Sequence, residues 1–317
     1  MKPREMSEKL KEQNFGCEIE MYGITRKKAS VLAAEYFGGQ FRYTDPQHGY
    51  QTWSAFEPNG REWKFSRDSS IMAACDDERC EMITPILRYE EMDMLFGLVR
   101  MLRANGARSD PNHGCGVHIH VDGAEHTAQT IKNLVRLVYS HEDQLAEGIN
   151  LDTHREQAYS KKVSEGFLNR LNKMKKVSLV QIEEEGYDGY ENGYDTRFAH
   201  YNGSRYRMLN LHSFFHGHGT VEFRCFQFQN PTPERRNGLH CGQLKAMIQM
   251  ALAISNAAKV SRSTRCKKSG KANTTQTFKS WLYRIGFVGK EFETARKYWS
   301  RETERTTREV DRGLAVA

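Results

Sequence analysis

Polar residues recur at every second position in several short stretches of the chain, with apolar residues between them. In Phe15 to Tyr22 (FGCEIEMY) this alternation predicts a strand with Glu18 and Glu20 on one face and Cys17, Ile19 and Met21 on the other. Helical spacing takes over in Arg26 to Phe37 and stops at Gly38 and Gly39. Short strands are predicted at Gly49 to Glu57, Glu62 to Ser66 and Glu81 to Thr84, separated by turn formers such as Pro58-Asn59-Gly60. Met92, Leu95, Val99 and Leu102 mark a helix over Tyr89 to Asn105, ended by Gly106. A strand at Gly116 to Asp122 (GVHIHVD) precedes a long amphipathic helix from Thr127, its N-cap, to Gly148. Two strands return at Arg207 to Phe215 and Thr220 to Phe228, before a helix from Pro233 to Ala258.

The remaining segments lack this order. Residues 160–204 are polar, weakly periodic, and read as an insertion or lid within a catalytic domain spanning 1–260. Ser261 to Asn273 reads as a basic linker, and 274–317 as a charged tail, helical over 276–312. No repeat of solenoid length is visible. Short strands that are polar on alternate positions argue for an α+β fold with one open, functional sheet face, because a buried parallel sheet would show continuous apolar runs.

Composition narrows the setting. The 317 residues contain enough apolar side chains for a substantial core, but no run approaches a membrane span and the first residues lack an apolar leader, so a cytoplasmic protein is expected. Seven dispersed cysteines in so large a chain argue for reduced thiols. Lys and Arg number 47 against 40 Asp and Glu, an excess too small to separate an enzyme for anionic ligands from a nucleic-acid binder.

The chemistry lies on the alternating strands. Glu18 beside Glu20 repel each other unless they share water, a base or a cation; taken alone, such a pair is a solvated face. In GVHIHVD, His118 and His120 share a face opposite Val117, Ile119 and Val121, a pattern that suits metal or phosphate contact as well as a structural role. In TVEFRCF, Glu222 and Arg224 share a face, where a surface salt bridge is the plain alternative. Three such strands together supply hard oxygen ligands, imidazoles and a guanidinium, the set that holds Mg²⁺ and nucleotide phosphates. Asp68 in WKFSRDSS reads as turn chemistry, Glu81 is evenly balanced between turn and site, and Arg155, Arg205 and Asn210 sit in polar segments nearby.

The ordered series FGCEIE, WKFSRDSS, CEMITPIL, GVHIHV, RYRMLN and TVEFRCF resembles the amidoligase family, within the carboxylate-amine ligase superfamily of glutamine synthetase and glutamate-cysteine ligase. The resemblance covers roughly residues 15 to 230, and WLYRIGFVGKEFETAR is similar to the family's tail. It implies a curved, mainly antiparallel sheet forming a glutamine synthetase-like bowl, helices on its outer face, and ATP with Mg²⁺, or alternatively Mn²⁺, inside. By the same resemblance, Glu18, Glu20, Glu81, His118 and Glu222 are metal ligands. His120 and Arg224 meet phosphate, Arg155, Arg205 and Asn210 position phosphate or a substrate carboxylate, and Glu20, Arg224 and Arg155 serve catalysis. The lead-in DPNHGCG departs from the pattern, with His113 and Cys115 where small or polar residues are common.

The implied reaction is ATP-dependent joining of a carboxylate to an amine through an acyl phosphate, since oxide is a hopeless leaving group and phosphate a good one. The acceptor is an amino acid, peptide, protein or modified nucleic acid; an oligomer is left open. Two other readings compete. A nucleic-acid binder would use the basic stretch 262–271 and the aromatics of 187–207 for stacking. A zinc site would draw on Cys75, Cys80, His113 and Cys115, although their spacing is loose and unpaired thiols are favoured.

Overall fold

A computed structural model describes residues 1–47, 49–186, 198–199, 202–230, 238–269 and 275–301. The charged lead-in is a helix, α1 (Pro3–Lys11), because Met6 and Leu10 repeat at one helical interval and both are buried. Next come β1 (Phe15–Met21), α2 (Arg26–Phe37), β2 (Gln40–Tyr43), β3 (Trp53–Phe56), β4 (Glu62–Ser66) and β5 (Cys80–Ile83). Then follow α3 (Met92–Ala104), β6 (Val117–Asp122), α4 (Ala128–Ile149), α5 (Thr153–Ala158), α6 (Glu165–Lys173) and α7 (Leu179–Gly186). The chain ends through β7 (Leu209–Asn210), α8 (His212–His216), β8 (Thr220–Phe226), α9 (Cys241–Val260), α10 (Gln276–Arg284) and α11 (Glu293–Trp299).

The strands form one open, curved sheet in the order β2-β3-β4-β5-β1-β6-β8-β7, antiparallel at every junction. This is the α+β class expected from the alternation. Cys17, Ile19, Met21, Val117, Ile119, Val121, Val221 and Phe223 all lie in the core. α2 packs on β2, β3 and β4, while α9 packs on β6 and β8 and is itself flanked by α1, α4 and α11. Buried on nearly every side, α9 is apolar almost all round. Its polar Ser255 is satisfied by donating to Gln13 Oε1 at 2.8 Å, and Gln13 Nε2 donates to Leu252 O at 2.8 Å. Among the described residues no helix is long and apolar enough to cross a membrane.

Several expectations change. The strand predicted at 207–215 joins the sheet at Leu209 and Asn210, with a separate bridge from Arg207 to Lys161; Asn210 Oδ1 then accepts from the His212 amide at 2.8 Å, a local bond that turns the chain into α8. The strand predicted from Gly49 starts at Trp53, after Gln51 with φ 48°. β2 carries no alternation of buried and exposed positions, because this edge strand is exposed on both faces. Within 160–204, α6 and α7 bury Phe167, Leu168, Leu171 and Ile182 and lie against α4; residues 187–197 and 200–201 of that segment are outside the described residues. The helix predicted over 276–312 breaks at Gly286 (φ 112°) and Gly289 (φ 81°), and its pieces are part of the core: Phe278, Trp281, Phe287, Phe292 and Trp299 are buried, with Trp299 Nε1 donating to Ala246 O at 3.0 Å. Residues 274 and 302–317 of the expected tail lie outside the described residues, as do 233–237 of the helix expected over 233–258, which begins at Cys241.

The basic stretch after α9 is tied along α4. Asn133 Nδ2 donates to Ala258 O at 3.3 Å and Ser261 O at 2.6 Å, Ser140 Oγ donates to Arg265 O at 2.9 Å, and Lys268 pairs with the buried Glu142 and with Asp143. Asn133→Ala is expected to destabilise the chain by about 1–2 kcal/mol in chemical denaturation, because it strips donors from buried carbonyls. An unchanged midpoint would show that this segment is not anchored there. Residues 270–273 of the expected linker lie outside the described residues.

Candidate active site

The sheet order gathers the polar faces. β5, β1, β6, β8 and β7 are consecutive neighbours, so residues far apart in sequence meet by register alone. Glu20 sits opposite Glu81, Glu18 opposite His118, His120 opposite Glu222, and Glu222 opposite Asn210. On the open face their side chains interlock. His118 Nδ1 is 2.7 Å from Glu18 Oε2 and its Nε2 is 3.6 Å from Glu20 Oε1; His120 Nε2 is 3.2 Å from Glu18 Oε1. Thr220 Oγ1 fixes the other His120 nitrogen at 2.9 Å, and Ser213 Oγ in turn meets that hydroxyl at 2.9 Å. Glu222 accepts from Arg224 Nη1 at 2.8 Å and from Asn210 Nδ2 at 2.6 Å.

Glu20 is held from the other side. The Gly116 amide donates to its Oε2, and Arg155 Nη1, reaching in from α5, lies 3.4 Å from the same oxygen and 2.9 Å from Gly114 O. That leaves Oε1 on the side of His118.

Among the described residues, three groups each bring their ligand atoms within 4.8 Å of one another: Glu18, His120 and Glu222; Glu18, Glu81 and His118; and Glu20, Asp68 and Glu81. Glu18 and Glu81 are each shared by two groups, so the positions form a chain across the bowl. The charges respond accordingly. Burial and then the negative charges of Glu18, Asp68 and Glu20 push the Glu81 carboxyl well above its usual range. Burial also works against ionised Glu18, but the imidazoles of His120 and His118 hold its carboxyl well below that range. Glu222, despite burial, is held low by Arg224 and then His120. Against its own burial, His120 is held above the ordinary imidazole value by Glu222 and Glu18.

Three cavities of about 720, 630 and 730 Å³ open onto this cluster. The first carries Glu18, Glu81, both histidines, Glu222 and Arg224; the second extends past Glu18 and His120 toward Ile83 and Pro85. The third, beside Glu20, is rich in arginine: Arg67, Arg155, Arg205 and Arg224. Every residue that the family resemblance assigns to the site therefore borders the same bowl, Asn210 and Arg205 included.

Asp68 does accept from the Ser70 amide at 2.7 Å, as turn chemistry requires; it also belongs to a ligand group. The signal was there, since Glu62, Lys64, Ser66 and Asp68 keep one parity, and all four border the first cavity. Arg67 and Tyr206 had no comparable pattern. The zinc reading is not assembled: Cys80 is buried on the core side of β5, Cys75 is exposed, His113 bonds to Asp110 and stacks on Tyr22, and the ligand groups among the described residues contain no cysteine. All seven cysteines are free. Of the aromatics assigned to base stacking, those at 187–197 and 201 lie outside the described residues, and Tyr206 borders the arginine-rich cavity.

Comparison with curated protein sequences gives no match. Among solved structures, the chain is similar to a bifunctional glutathione synthetase from Pasteurella multocida at 12% identity and a TM-score of 0.45, over 96% of this chain and 50% of that one. The chain thus spans about half the length of that enzyme. Residues 11–236 match the family described as "Putative amidoligase enzyme", most of the chain and all of the sheet, and the chain belongs to that family of ligases.

Proposed function

We propose that the protein is an ATP- and Mg²⁺-dependent carboxylate-amine ligase working through an acyl phosphate. The observation that carries this reading is the chain of three carboxylate and imidazole groups bordered by buried, partnerless cationic edges. Arg224 Nε and Arg155 Nε and Nη2 are buried without a hydrogen-bond partner among the described residues. Hard oxygen donors with few imidazoles and no thiolate fit Mg²⁺ or Mn²⁺, and unsatisfied guanidinium edges fit the anions that accompany such a metal.

In this reading Glu18, Glu20, Glu81, Glu222 and His118, joined by Asp68, hold the metal, which would supply positive charge against the phosphates. His120 and Arg224 lie on the phosphate side; Thr220 keeps the His120 ring oriented. Arg224 offsets charge on the transferring phosphoryl group, while Asn210 holds Glu222 in place for its task. Arg155 and Arg205 orient the acyl substrate in the arginine-rich cavity, and this neutralisation lets a carboxylate approach a polyanion. Exposed Phe198 borders the first cavity, and we assign to the 160–204 segment the choice of acyl and amine substrates. Free cysteines fit a reducing compartment, and we place the enzyme in the cytoplasm.

The test is ADP formation by purified protein with Mg²⁺ and ATP across panels of carboxylates and amines, with hydroxylamine trapping the acyl phosphate as a hydroxamate. Mg²⁺-dependent ADP and hydroxamate are expected for at least one acid. Absence of ADP across the panels together with absence of nucleotide binding in calorimetry would overturn the assignment.

A further inference from the structure

The geometry of the glycine-rich lead-in to β6 accounts for the way Arg155 is held. A Cβ built on Gly116 would come within 1.8 Å of Arg155 Nη2 and 2.2 Å of its Cζ, so the guanidinium lies against bare backbone. Gly114, at φ 76°, leaves room for the chain after Asp68: a Cβ there would meet Ser70 O at 2.6 Å. The turn is pinned as well, with the Cys115 amide donating to Asp110 O at 3.2 Å and the Met72 amide to His113 O at 2.9 Å. Arg155 is only 2% exposed; its Nη1 is engaged by Gly114 O and Glu20. What remains is Nε with Nη2, the side of a guanidinium where two N–H bonds run parallel, and Arg155 borders the arginine-rich cavity of about 730 Å³.

We infer that Gly114, Cys115 and Gly116 form a turn that positions Arg155 as a bidentate seat for an oxyanion in that cavity. The two buried N–H groups left without partners match the spacing of two oxygens on one carbon or phosphorus, a match lysine cannot make. The oxyanion is either a carboxylate of the acyl substrate or a phosphate of the nucleotide. Gly116 acts through Arg155 and is a positioning residue; Arg155 makes the contact. The identity of the ligand rests on the ligase reading, whereas the seat itself rests on geometry alone.

Calorimetry with three probes tests it: the Mg²⁺ complex of a non-hydrolysable ATP analogue, inorganic phosphate, and the dicarboxylates succinate, glutarate and adipate. Gly116→Ala and Arg155→Lys should each weaken one probe class by about ten- to a hundredfold, as expected for loss of charge-assisted bonds. Weakening of the dicarboxylates assigns the seat to the acyl substrate; weakening of phosphate and nucleotide assigns it to ATP. Adding Gly116→Ala to Arg155→Lys should cost little more than Arg155→Lys alone, since lysine has no guanidinium for the methyl to strike. That comparison also decides the matter if Gly116→Ala alone does not fold. Losses that add in the double variant, a folded Gly116→Ala protein that binds all probes as the parent does, or a parent that binds no probe would each overturn the inference. A parent that binds dicarboxylate or phosphate through the seat but no Mg²⁺-nucleotide would instead overturn the ligase reading and leave the seat standing.

Discussion

Glu18→Gln is expected to lower Mg²⁺-dependent ADP formation by at least about a hundredfold, the scale seen when a charge-stabilising or metal-orienting group is removed. Glu18 belongs to two of the three ligand groups and touches both histidines, so one substitution strikes two adjacent cation positions and loosens the ring on the phosphate side. Glutamine keeps the shape but lacks the charge and turns one oxygen into a donor. The same change should also make the metal-free protein less stable at neutral pH. The folded state holds the Glu18 carboxyl well below its ordinary value, so its ionised form is favoured by folding. That stability is present above the unfolded value of about 4.3 and disappears as pH falls through the lowered one. Calorimetric Mn²⁺ binding, ADP release and melting at neutral pH check the three consequences. Undiminished metal affinity in a folded variant would remove Glu18 from the ligand set.

Much of this site was legible in the chain because strand parity is a strict rule. Once residues 18 and 20, 118 and 120, and 222 and 224 are recognised as strand positions, each pair must share a face opposite buried neighbours, and it does. Parity alone does not say which strands are neighbours. That these strands face one site follows only from the resemblance to a family; the adjacency of β5, β1, β6 and β8 and the register that sets His120 against Glu222 come only from the structure. Arg155 shows the limit from another direction. It lies on a short helix, and its position depends on a missing side chain at Gly116, which no periodicity reveals. The 276–299 segment looked like a tail because its surface is highly charged; the buried Phe278, Trp281, Phe292 and Trp299 are spread over two helices and a glycine break, which hides their common face. Local bonds account for the remaining differences, as where Asn210 bends the chain out of its strand after two residues.

Glu81→Gln should produce the opposite stability change to Glu18→Gln while also impairing metal binding. Glu81 faces Glu20 across the strand pair and shares ligand groups with Glu18, His118, Glu20 and Asp68, so in the metal-free protein its charge is opposed by burial and by like charges. A carboxyl raised by folding contributes fully below its unfolded value of about 4.3, and that contribution is lost as pH rises through the raised value. Glutamine has no charge to lose. At pH 8 without metal the variant should therefore melt above the parent, and the difference should shrink toward pH 4, where Glu81 is neutral in the folded chain and mostly neutral in the unfolded one. Mg²⁺ should reverse the order. Binding requires the ionised carboxylate, so in the parent it expels a proton and strengthens as pH rises. At a hundred times its dissociation constant, metal adds about 2.7 kcal/mol to the parent. A variant bound ten- to a hundredfold more weakly would lose about 1.3–2.3 kcal/mol of that gain. Melting curves at pH 4 and pH 8, with and without Mg²⁺, and calorimetry in buffers of different ionisation enthalpy would test both signs. If Glu81→Gln melts below the parent at pH 8 without metal, or if metal uptake releases no proton, Glu81 is not the carboxyl on which the cation and the proton compete.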